Sequence, residues 1–238
     1  MYATTQKALA EFVGTFALIF IGVGAISVTG DGGGNLTTVA LGHGLAIAVM
    51  VSAVAHVSGA HFNPAVTVAA WATRKIQSAQ AGVYLIAQLA GATAAAALLA
   101  AALPGGSDAV AGGTPALAAN VTVGQGLLIE IVLTFFLVWV IFGTAIDPAG
   151  AFRSIAGMAI GFTVMLDITM GGPLTGAAMN PARAFGPALI SGSWANHWVY
   201  WVAPILGGLL AGLLYDMVIL RGRSEPGPGG AAAAKADA

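Results

Sequence analysis

Apolar residues run along this chain in long blocks, without the alternation of a half-buried strand or the narrow stripe of a surface helix. Six blocks come close to the roughly 20 residues that a helix needs to cross a hydrocarbon core. They lie at about 8–28, 38–57, 81–103, 124–146, 154–172 and 197–220. Two further apolar runs, 66–73 and 183–191, are only about half as long. The first block carries Glu11 and has no convincing cleavage site, so it reads as a retained span and not a signal peptide. The pattern predicts an all-α membrane protein with six transmembrane helices and two half-helices.

Composition narrows the function classes. Only 7% of the 238 residues are charged, 58% are hydrophobic and the mean hydropathy is +0.90. A soluble domain, a disordered chain and a nucleic-acid binder are excluded at that balance. With no cysteine there is no thiolate chemistry, and no cluster of metal-ligating or catalytic residues stands out, so neither a cofactor nor an enzyme is expected. The 34 glycines suit helices packed closely within a bilayer.

Basic residues give the orientation. Lys7, Arg74, Lys75, Arg153, Arg221, Arg223 and Lys235 fall at the termini, after the second block, or between the fourth and fifth. The other connections hold only Arg183. By the positive-inside rule both termini are cytoplasmic. With no organelle-targeting segment visible, the plasma membrane of a prokaryote is the expected location. A single channel domain should occupy 1–222, followed by a disordered cytoplasmic tail at 223–238 that is rich in Pro, Gly and Ala. Residues 104–123 read as an ordinary outer loop. Trp71, Trp139, Trp194, Trp198 and Trp201 lie toward the ends of apolar blocks, as interfacial anchors do.

The two halves echo each other. Glu11 with Gly14-Thr15-Phe16 is matched by Glu130 with Leu133-Thr134-Phe135. Asn63-Pro64-Ala65 follows the first glutamate, and Asn180-Pro181-Ala182 follows the second at nearly the same distance. Repeat one spans about 8–103 and repeat two about 124–220. Each has three spans, so the second is inverted relative to the first, a plan of membrane transport proteins. Asn is a strong N-cap and Pro is favoured at the first helical position, so each motif opens a half-helix. Irregular backbone at that depth is tolerated only where it is buried in protein or lines a water-filled cavity. Each asparagine oxygen caps its own half-helix, which leaves the amide NH2 groups to point into a pore.

HVSGAHFNPAVT at 56–67 and MNPARAFGPAL at 179–189 resemble the two signature segments of the aquaporin (major intrinsic protein) family, and the likeness runs from Glu11 to Leu220. Glycerol facilitators of that family carry Asp after the NPAR arginine and a basic residue a few positions later. Ala184 and Ala188 stand there, and Tyr200-Trp201 matches the aromatic pair of the water branch. The resemblance implies a passive pore for water that excludes protons and ions, with one pore per chain in a homotetramer. Small residues such as Gly82, Ala87, Gly91 and Ala94–Ala97 suit close helix contact.

The resemblance also implies roles for individual residues. The carbonyls of Gly59, Ala60 and His61, and of Gly176, Ala177 and Ala178, would form an acceptor ladder in stretches that are extended and not helical. Arg183 would join His43, Ile168 and Ala177 in an outer filter like that of plant vacuolar-membrane members. Such a filter would pass small neutral solutes, ammonia and hydrogen peroxide foremost, with glycerol poor. Glu11 and Glu130 would brace the motif loops, His56 would be a satisfied structural histidine, and Asp167 could face Arg183 or a loop donor. The alternatives are a glycerol or small-polyol facilitator, a proton-coupled secondary transporter working through the two glutamates, or a sealed junction protein.

Overall fold

The computed structural model describes residues 2–29, 35–150 and 153–222. The expected tail at 223–238 lies outside the described residues. Among the described residues the structure is helical with no strand: α1 (Thr4–Thr29), α2 (Leu36–Ser58), α3 (Pro64–Ala72), α4 (Ser78–Ala102), α5 (Ser107–Gly112), α6 (Val123–Ile141), α7 (Ala156–Thr175), α8 (Pro181–Ser191) and α9 (Val199–Leu214). α6 and α9 each continue into a π-helical turn, Phe142–Ile146 and Tyr215–Leu220. Six of these helices are long and apolar enough to cross a membrane. α3 and α8 are the half-helices.

Three boundaries differ from the expectation. The fifth span does not stop before Pro173 but runs to Thr175, with the proline inside its last turn. The segment at 104–123 is more than a loop. It folds α5 back into the protein, with Val110 fully buried and Ser27 Oγ donating to Ala109 O at 2.7 Å. The stretches before the two motifs are non-helical but not simply extended. Gly59, Ala60 and Phe62 have φ of 92°, 52° and 51°, and Gly176, Ala177 and Met179 have 83°, 42° and 52°.

Packing interleaves the two repeats. α1 packs on α4 and α6 on α9 within each repeat, while α2 packs on α7 across them. Each half-helix also crosses over, α3 against α9 and α8 against α4. Glycine makes the tightest seam possible: a Cβ at Gly161 would sit 2.3 Å from Gly44 O, and one at Gly44 would sit 2.5 Å from Gly161 O. Of the small residues on α4, Ala87, Gly91, Ala95 and Ala96 are buried inside the chain, with Gly91 against Phe12 O of α1, whereas Gly82 and Ala97 are exposed. Large apolar side chains such as Leu9, Ile86, Leu128 and Leu166 face outward, as a protein solvated by lipid requires.

Candidate channel site

Two loops of unfavourable backbone meet inside this bundle, and a buried glutamate holds each. Glu11 Oε1 accepts from Ser58 Oγ at 2.7 Å and from His61 N at 3.0 Å, while Oε2 accepts from Phe62 N at 2.7 Å. Glu130 repeats the pattern: Oε1 accepts from Thr175 Oγ1 at 2.7 Å and Ala178 N at 2.9 Å, and Oε2 from Met179 N at 2.8 Å. Tyr84 and Tyr200 complete the equivalence, their hydroxyls donating to Ser58 O at 2.6 Å and Thr175 O at 2.8 Å. Left-handed conformations at Ala60, Phe62, Ala177 and Met179 are disfavoured for residues bearing a Cβ. Charge-assisted bonds to consecutive N–H groups offset that cost. Gln88 adds a bond to Glu11 Oε2 at 2.8 Å and one to Thr67 Oγ1 at 3.0 Å. Pro204, four residues after Tyr200, makes the second repeat differ there.

The motif residues then fall where capping chemistry puts them. Asn63 and Asn180 are N-caps with φ of −155° in both, and Pro64 and Pro181 are the first helical residues. Asn63 Oδ1 accepts from Ala65 N at 2.8 Å, and Asn180 Oδ1 from Ala182 N at 2.9 Å and Arg183 N at 3.2 Å. The amide NH2 groups are not wholly free. Asn63 Nδ2 donates to Met179 O at 2.8 Å and Asn180 Nδ2 to Phe62 O at 2.9 Å, so each repeat bonds the other's loop. One N–H per asparagine is thereby spent and one remains.

Two cavities lie on one side of this junction. An outer one of about 400 Å³ is lined by residues including His43, Gly113, Ile168, Gly176 and Arg183. An inner one of about 30 Å³ is lined by Asn63, Asn180, His43, Ile168, Ala177 and Arg183, with Leu18, Ile47, Leu137 and Val164 among the apolar wall. A volume of about 30 Å³ exceeds the roughly 10–15 Å³ that a cavity needs to hold a water. His43, Ile168 and Arg183 line both cavities and so form the neck between them. Ala177 and Ala178 line the inner cavity and Gly176 the outer one, whereas Gly59, Ala60 and His61 line neither.

Arg183 is buried and fixed from two directions. Its Nη1 donates to Gly113 O at 2.8 Å, and its Nη2 lies 3.3 Å from His43 Nε2. His43 Nδ1 is 2.9 Å from Val39 O, which places the ring hydrogen on Nδ1 and leaves Nε2 to accept from the arginine. Asp167 answers neither expectation: it is buried, and its Oδ2 has no hydrogen-bond partner among the described residues. His56 is exposed with its ring edge-on to Tyr2, while His61 Nδ1 lies 3.0 Å from Thr67 Oγ1.

Sequence reasoning missed Gly113, Phe62 and Met179, which act through carbonyls. Gly113 carries a checkable consequence. A Cβ there would sit 2.5 Å from Val23 Cγ1, so a side chain must push the carbonyl away from Arg183. Gly113→Val should cost about 1–3 kcal/mol of stability by overpacking and loosen the filter. Thermal unfolding in detergent and glycerol uptake by proteoliposomes would measure the two effects. Unchanged uptake would mean that the arginine keeps its place without this carbonyl.

Known proteins resemble this chain over most of its length. The chain is 47% identical over 233 residues to aquaporin TIP4-4 of Zea mays, covering 94% of this chain and 90% of that protein. It is 46% identical over 237 residues to the probable aquaporin TIP3-2 of Arabidopsis thaliana, covering 93% and 86%. The X-ray structure of the aquaglyceroporin from Plasmodium falciparum superposes with a TM-score of 0.84 at 26% identity, covering 92% of this chain and 98% of that one. The family model for major intrinsic protein matches residues 1–215, and this multi-pass membrane chain belongs to that family.

Proposed function

We propose that the chain is a passive water channel and not an enzyme, its path running through the neck formed by His43, Ile168 and Arg183 and past Asn63 and Asn180. The observation that carries this reading is the small cavity bounded by all five residues, large enough to hold water, with donors on one side and apolar wall on the other. The N-termini of α3 and α8 converge there, each adding roughly half a positive charge. Water can turn its oxygen to the remaining asparagine N–H groups, whereas a cation or a hydronium ion meets a repulsive field. Arg183 spends two of its five N–H donors on the protein, which leaves donors for solute. The carbonyls of Gly176, Ala177 and Ala178 supply acceptors on the outer half of the path, and those of Gly59, Ala60 and His61 on the inner half. Glu11 and Glu130 serve as braces in this scheme: their carboxylate oxygens are already committed to loop donors, which argues against a proton-coupling role.

We place the chain in the plasma membrane with both termini cytoplasmic, the orientation resting on charge asymmetry, and family membership supports a homotetramer with one pore per chain. Ile168 gives the neck an apolar wall and Ala177 leaves it wide, so ammonia and hydrogen peroxide should pass with water. Glycerol should pass poorly. The relatives' names, TIP-type aquaporins, fit that mixed filter. The test is the double substitution His43→Phe with Ile168→His, which rebuilds a tight aromatic ring around Arg183. Proteoliposome ammonia uptake should fall at least tenfold at matched water flow. Equal ammonia uptake would move the filter elsewhere.

A further inference from the structure

We propose that the cleft at the joint between α3 and α4 seats the phosphate headgroup of an anionic membrane lipid. The cleft, of about 590 Å³, is lined by Trp71, Arg74, Lys75, Ile76, Gln77 and Ser78. It lies beside Ser78, the first residue of the apolar α4 span. α3 ends there in a helix stop: Arg74 N donates to Trp71 O at 3.0 Å and Lys75 N to Ala70 O at 2.8 Å. Such stops place a residue in the left-handed conformation, where glycine is favoured. Here the residue is Arg74, with φ of 61°.

That side chain is exposed and makes no ion pair among the described residues. The neighbouring carboxylate is already taken, since Asp216 Oδ1 lies 2.8 Å from Lys75 Nζ and Oδ2 lies 2.6 Å from Arg221 Nη2. Lys75 is held beside the cleft by that pairing, with its side chain still one-third exposed at 34%. Trp71 is half-exposed, and its Nε1 donates to Ser78 Oγ at 2.9 Å, which fixes the indole as one wall. A guanidinium fork recognises two oxygens of a phosphate together. Tryptophan and a basic residue at the same level form the pairing that favours the headgroup layer. The apolar faces of Trp71 and Ile76 would receive the first methylenes of a lipid's acyl chains, and a free phosphate has no such part.

The Arg74→Gly variant tests this without threatening the fold, because glycine suits the left-handed turn. Delipidated full-length protein in detergent is melted with phosphatidylglycerol, with phosphatidylcholine, and with inorganic phosphate at matched ionic strength. Lipid retained per chain is counted by native mass spectrometry. The parent should gain more Tm from phosphatidylglycerol than from phosphatidylcholine and retain at least one phosphatidylglycerol per chain. Arg74→Gly should match or exceed the parent's lipid-free Tm, lose at least half of the phosphatidylglycerol increment and retain one lipid fewer. Equal increments and equal retention in parent and variant would overturn the site. A full increment from inorganic phosphate alone would overturn the lipid as its occupant.

Discussion

Arg183→Val should make the pore leak small cations, with methylammonium uptake by proteoliposomes rising at least tenfold while osmotic water flow persists. The guanidinium is the one full positive charge at the neck, and it is buried between His43 and Gly113. A unit charge about 4 Å from a passing cation repels it by about 4 kcal/mol at an effective dielectric of 20, about a thousandfold in rate. The half-helix ends remain as a second barrier in series, so the observed leak is smaller than that figure. Valine also widens the opening, so glycerol should enter faster. If cation and glycerol uptake both stay at parental values, Arg183 is a structural residue and selectivity arises elsewhere.

Asn63→Asp and Asn180→Asp should each weaken the fold and the charge barrier together. The amide of Asn63 donates to Met179 O and that of Asn180 to Phe62 O, so each bond ties one repeat to the other. A carboxylate keeps the capping oxygen but loses the donor, and it faces a carbonyl across less than 3 Å. Leaving a buried carbonyl unpaired costs about 1–3 kcal/mol, and like-sign repulsion adds to it. The added negative charge offsets the positive ends of α3 and α8, so proton leak should rise by at least tenfold. Because the two sites are related by the repeat, their effects should be similar in size. An Asp variant with parental Tm and parental proton tightness would separate the asparagines from both functions.

What the sequence made legible follows from which forces act locally. The spans are set by hydrophobic length, and the half-helices by Asn-Pro, whose capping needs no tertiary partner. Both signals sit in side chains and survive without the fold. The pairing of Glu11 with Glu130 was also readable, because the same carboxylate recurs at the same distance before each motif. Pro173 misled the end of the fifth span: the ring removes one backbone bond, but Thr175 and Gly176 still close the helix against Glu130 and Tyr200. The left-handed residues Ala60, Phe62, Ala177 and Met179 left no trace, since their intrinsic preference points the other way and only tertiary bonds from the glutamates, tyrosines and asparagines hold their loops. Gly113 was illegible for a related reason. Its role rests on a carbonyl, which every residue has, and on a close approach to Val23 that exists only after folding. Asp167, an acidic residue in an apolar span, is buried without a bonding partner for Oδ2 among the described residues, so neither Arg183 nor a loop donor answers it.

The most direct measurement records osmotic water permeability and proton flux in the same proteoliposomes, beside empty vesicles of the same lipid. Water permeability should exceed that of empty vesicles severalfold with a low activation energy, since water exchanges hydrogen bonds continuously along the path. An imposed pH gradient should decay no faster than in empty vesicles. Folded protein that leaves water permeability at the empty-vesicle value, or that carries water only with a matching collapse of the pH gradient, would contradict the channel.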